Sequence, residues 1–212
     1  MTDRAAVRLL ILAAIGYAWG ALTNGLPAPS DPELFWVGNL CAPYVILPFL
    51  AGAWGFRPPV AALAGAVVTG AAIAGFYGFL TVGDVTNVQL DLPVTVTARS
   101  VVLDAYGRWF GTFVFGTPGG IPWLTIGIVA GACSGVLGSV WRRRGATWAA
   151  IGVLGLLVVE PALYLLLASA VPVGPAYGLS GANLAIWGAE ALVGVAAIVL
   201  VARTRPREAA VA

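Results

Sequence analysis

Two carboxylates set the chemistry that this chain can do. Glu160 and Glu190 each stand alone in a long apolar stretch, Thr147 to Val171 and Asn183 to Ala202. Each stretch can cross a bilayer, since a spanning helix needs about 20 apolar residues rising about 1.5 Å apiece. Counted from Arg142-Arg143-Arg144, Glu160 lies roughly 20 Å in, about 10 Å short of the far surface. The second helix returns from that surface and places Glu190 roughly 10–12 Å below it. The spacing therefore predicts two acids at one depth on adjacent antiparallel helices. A charge at mid-membrane costs at least ~2.5–3.5 kcal/mol on insertion scales, so such acids need partners or a proton.

Their neighbours predict a pocket. Tyr164 is one turn from Glu160, and Asn183, Trp187 and Glu190 form an i, i+4, i+7 stripe. Asn39, Asn24 and Tyr44 fall in or near the outer halves of their helices. Aromatic rings beside carboxylates suit a cationic or heteroaromatic ligand, although Trp and Tyr near interfaces also serve as belt anchors. The expected ligand-binding set is Glu160, Tyr164, Asn183, Trp187, Glu190 and Asn39. The competing reading is structural: neutral acids hydrogen-bonded to backbone, for instance at the carbonyl that Pro161 frees.

Other chemistries lack their residues. The 212-residue chain has no His, which removes bis-His haem, typical zinc sites and His-based acid–base catalysis. Cys41 and Cys133 fall at different depths in apolar segments and read as small buried residues rather than a disulfide. No Ser or Cys nucleophile motif and no phosphate-binding loop is present. No catalytic, metal or cofactor site is expected.

The solvent of these elements is lipid. Only 9% of residues are charged, where a soluble domain has about 25%, and mean hydropathy is +0.94. The net charge of +2 points to no nucleic-acid partner. All 11 basic residues are Arg, and with abundant Ala, Gly and Val the composition reads as that of a high-GC bacterium. The expected location is the bacterial cytoplasmic (inner) membrane.

Six helices are expected, over about 9–25, 34–54, 60–80, 121–141, 147–171 and 183–202. The first is read as retained rather than as a cleaved signal peptide, because it is long and carries Tyr17 and Trp19. Pro43 and Pro48 fall within the second, as membrane helices tolerate. Residues 81–120 form an outer loop or cap. In it Val88, Leu90, Leu92, Val94 and Val96 alternate with Asn87, Gln89, Asp91, Pro93 and Thr95, a period of two that predicts an extended segment. Arg99 to Phe115 reads as an interfacial amphipathic helix, with Val102, Ala105, Trp109 and Phe113 on one stripe.

Arginine placement orients this layout. With both termini inside, the inner side holds nine Arg (4, 8, 57, 142, 143, 144, 203, 205, 207) and the outer side two (99, 108). That is the positive-inside pattern. The expectation is one all-α transmembrane domain over 1–212, with six transmembrane helices and both termini cytoplasmic. An extended segment and an interfacial helix fill the outer loop between helices three and four.

Small residues recur every four positions: Ala14 and Ala18; Ala62, Ala66, Gly70 and Ala74; Gly127, Gly131 and Gly135. Such faces let backbones approach closely, either within the monomer or against a coupling subunit or second copy. Six helices in about 200 residues, the Ala14-x-x-x-Ala18 pair and a polar outer-half pocket under a loop resemble the substrate-binding (S) components of energy-coupling-factor vitamin transporters. In that family the pair on helix one docks onto the coupling subunit; the family's Lys-rich loops are missing here. Asn39-Leu-Cys-Ala-Pro-Tyr44 followed by Phe49-Leu-Ala-Gly-Ala53 is similar to uncharacterised actinobacterial multi-pass membrane proteins.

Three functions compete. The first is a small-molecule transport or ligand-binding subunit. The second is a scaffold or assembly protein whose acids are incidental. The third is a membrane enzyme on lipid-linked substrates with Glu160 or Glu190 as acid or base.

Overall fold

In lipid every backbone N–H and C=O must be satisfied within the chain, which makes helices the natural outcome for these Ala-, Val- and Leu-rich stretches. The computed structural model describes residues 3–25, 41–91, 123–170 and 181–203, and these are helices and short turns. The helices are α1 (Asp3–Gly25), α2 (Cys41–Gly52), α3 (Pro58–Asp91), α4 (Trp123–Arg144), α5 (Thr147–Leu154), α6 (Leu156–Ala170) and α7 (Gly181–Arg203). Five stretches are long and apolar enough to cross a membrane: Arg4–Thr23, Pro58–Phe76, Leu124–Arg144, Thr147–Leu166 and Asn183–Arg203. The chain is a multi-pass membrane protein.

Several expected boundaries move. Of the helix expected over 34–54, residues 41–52 are helical and Ala53 to Gly55 form a turn. The turn needs Gly55, whose φ of 90° lies where a side chain is strained. Pro58 and Pro59 then open α3 with their φ angles preset. That helix runs to Asp91, so Val88 to Asp91 are helical and not extended. Once a helix is nucleated, each added residue is cheap, so the helix carries through the start of the alternating segment. The rest of the alternating segment, the interfacial helix over 99–115 and Asn39 lie outside the described residues. The helix expected over 147–171 is interrupted at Gly155, giving α5 and α6.

α3 is the hub, with α1 on one flank and α4 on the other, while α2 packs on both α3 and α4. Their contacts are backbone on backbone. A Cβ on Gly16 or Gly20 of α1 would collide with the carbonyls of Val68 and Ala72, and one on Gly75 with that of Tyr17. Gly65 likewise abuts the Gly131 carbonyl, Gly135 that of Ala61, and Gly138 that of Phe49. Gly127 faces the Ile73 side chain. Gly127, Gly131 and Gly135 are therefore occupied inside the chain and are not free for a partner. On α3 the buried register is Ala61, Ala64, Val68 and Ala72, one or two positions before the expected Ala62, Ala66, Gly70 and Ala74. Ala14 and Ala18 are exposed.

Side-chain contacts gather one end of the bundle. The Arg8 guanidinium lies 6.0 Å from the Trp54 ring centre and 5.9 Å from that of Phe56. The Ser139 hydroxyl donates to the Phe56 carbonyl at 2.8 Å. Phe49 stacks on Trp141 with centroids 5.4 Å apart, and their cluster takes in Val153 and Val201. The start of α1, the α2–α3 turn, the end of α4 and the end of α7 thus share one end. All the described Arg residues (4, 8, 57, 142, 143, 144, 203) sit there. Leu10, Leu166, Leu192 and Leu200 point outward, as lipid-facing residues do.

Candidate functional site

The expected cluster forms where α6 and α7 pair, toward the end opposite the arginines. Two contacts set their antiparallel register. Gly194 lies against Leu157 and Val158, and Trp187 stacks on Tyr164 with centroids 5.8 Å apart and planes 16° apart. Glu190 stands between these levels on the same stripe of α7, facing the turn of α6 that carries Glu160 and Pro161. Asn183 and Trp187 are buried, and so is Pro161. The structure therefore brings together Glu160, Tyr164, Asn183, Trp187 and Glu190.

The two acids are provided for differently. Glu160 accepts the Ala42 N–H at 2.6 Å through Oε2 and the Tyr164 hydroxyl at 3.1 Å through Oε1. Ala42 lies in the first turn of α2, where a backbone N–H has no partner within its own helix. A carboxylate there also meets the positive end of the helix dipole. Both oxygens of Glu190 are closed off from solvent, and no group among the described residues donates to them. Glu160 is near enough to act on Glu190 electrostatically. The arginine of α7 itself is Arg203, 13 residues along the helix from Glu190, or about 20 Å.

A second polar link adjoins the start of α2. The Thr23 hydroxyl donates to the Gly20 carbonyl at 3.0 Å and lies 2.9 Å from the Tyr44 hydroxyl. Thr23 has one hydrogen and uses it on Gly20, so Tyr44 donates to Thr23. Sequence reading missed Thr23 and the Ala42 amide. The available signal was Pro43: proline is favoured in a first turn, where no intrahelical N–H bond is lost.

Nothing matches this chain among protein-family models, curated proteins or solved structures. The site is read from its own geometry. That geometry offers one satisfied carboxylate that ties two helices, one carboxylate lacking donors, and a stacked aromatic pair beside both. Among the described residues, no three His, Cys, Asp or Glu come together as a metal site.

Proposed function

We propose that the chain is a small-molecule transport or ligand-binding subunit of the bacterial cytoplasmic membrane. Its ligand site is the cluster of Glu190, Glu160, Tyr164, Asn183 and Trp187. The observation that carries this reading is the Glu190 carboxylate, buried without a donor beside the stacked rings of Tyr164 and Trp187. A buried acid is costly to keep, and intramembrane acids mark ligand or ion sites by default. A cation with an apolar or heteroaromatic body fits both features. Six spans with both termini cytoplasmic agree with the arginines gathered at one end of the bundle, and the cluster then lies in the outer half. The exposed Ala14 and Ala18 on α1 leave a small-residue face for a coupling subunit or second copy.

Mass spectrometry of small molecules that co-purify with the protein in mild detergent tests this reading. The expected result is a cationic or heteroaromatic compound enriched over a Glu190→Gln preparation. Equal recovery from both preparations overturns the assignment of Glu190 to the ligand. The scaffold reading draws on Glu160, whose two hydrogen bonds serve helix packing.

A further inference from the structure

A closed carboxylate with no donor poses a specific question: what neutralises it? Both Glu190 oxygens are shut off from solvent. An ionised carboxylate in such surroundings is penalised so heavily that it takes up a proton instead. Two nearby donors are already spent, because the Ala42 N–H and the only hydrogen of the Tyr164 hydroxyl both go to Glu160. Among the described residues, the charged and titratable groups around Glu190 bring no cation. α6 presents Glu160 and Tyr164, α5 carries no titratable residue, and Arg203 stands at the far end of α7.

Acceptors, by contrast, are plentiful on the facing turn. The Glu160 carboxylate is one. The Leu157 carbonyl is the other, since Pro161 has no N–H to give it. Leu157 is buried, and Gly194, one turn from Glu190, lies against it. Among the described residues, the facing turn of α6 thus offers Glu190 acceptors and no unspent donor, a surface that an acid O–H completes.

We propose that Glu190 is a proton-binding site, protonated in this closed arrangement and donating its O–H to the facing turn of α6. One proton passes from hydronium to a Glu190 oxygen, leaving water, and the Glu190 side chain loses its negative charge. The inference uses the same cluster as the ligand reading and holds whether or not an organic ligand binds.

Infrared difference spectroscopy of the full chain in phosphatidylcholine liposomes tests it. Expected at neutral pH is the C=O stretch of a protonated carboxylic acid. It should shift in D2O, disappear on strong alkalinisation, be lost in Glu190→Gln and persist in Glu160→Gln. A wild-type spectrum without that band at neutral pH overturns the proposal with no variant needed. So does a band that survives in Glu190→Gln or vanishes only in Glu160→Gln. Should Glu190→Gln fail to fold, Glu190→Asp serves: a displaced band supports the assignment, and an unmoved one refutes it. Co-purification reads the ligand independently, so either result can fail without the other.

Discussion

Glu160 and Glu190 differ by one turn of context, and the same substitution should therefore do different things to them. In Glu160→Gln the Ala42 amide loses a charged acceptor, and hydrogen bonds to charged groups contribute about 1.5–3 kcal/mol. We expect its thermal unfolding midpoint in detergent to fall. Glu190→Gln keeps the shape of a neutral acid and removes no described bond, so its midpoint should stay near wild type. Its effect belongs to binding: a cationic ligand takes the place of the Glu190 proton, and removing one partner of that desolvated charge pair costs about 2–5 kcal/mol, roughly 30-fold to several thousand-fold in affinity. A Glu190→Gln protein that is strongly destabilised, with Glu160→Gln unaffected, would reverse the two roles. Tyr164→Phe is the finer probe. It removes one donor to Glu160 and keeps the stack on Trp187, for about 0.5–1.5 kcal/mol of stability. The residues of this cluster were legible because a helix repeats every 3.6 positions, which puts Asn183, Trp187 and Glu190 on one face. The Ala42 amide was not legible, because a backbone N–H has no letter of its own.

At the scale of elements, glycine decides how closely helices meet. Gly135→Ala would drive a methyl into the Ala61 carbonyl, and overpacking of this kind costs about 1–3 kcal/mol. Gly188→Ala and Gly152→Ala meet nothing within 4 Å and should stay within about 0.5 kcal/mol of wild type. Thermal midpoints of the three variants, measured side by side, check this; equal losses would mean that the close approaches do not hold the bundle. Small-residue spacing showed that such faces exist but chose the wrong register on α3. Where Ala and Gly fill ten of the fifteen positions 61–75, several registers satisfy the pattern at once, and only the neighbouring helix selects one. The alternation over 87–91 misled for a related reason: a period of two over five residues is outweighed by a helix already 29 residues long at Thr86.

The whole molecule is two unequal parts. α1 to α4 lock together through glycine-mediated backbone contacts, whereas α7 packs chiefly on α6 and α5. α3 has 34 residues, or about 51 Å, against a hydrocarbon core of about 30 Å. Starting from the arginine end, its last turns must clear the membrane on the other side. A cysteine at position 90, in a chain with Cys41 and Cys133 replaced, should react with an impermeant maleimide added outside intact cells. Reaction from the cytoplasmic side alone would sink the orientation. The arginine count predicts this orientation from sequence alone, because topology is written in which loops carry charge, and the labelling decides it.

The bond between Ala42 and Glu160 joins residues 118 positions apart, and that separation has a consequence for how the protein is made. Chains are synthesised from the N-terminus at roughly 5–20 residues per second, so α2 is in the bilayer several seconds before its acceptor exists. In that interval the amide must take water or a lipid headgroup in place of Glu160, which holds the start of α2 near the membrane surface. The arrival of α6 exchanges that provisional partner for a permanent one. Biogenesis of this chain therefore closes with a late docking step, in which the last helices inserted finish the first ones.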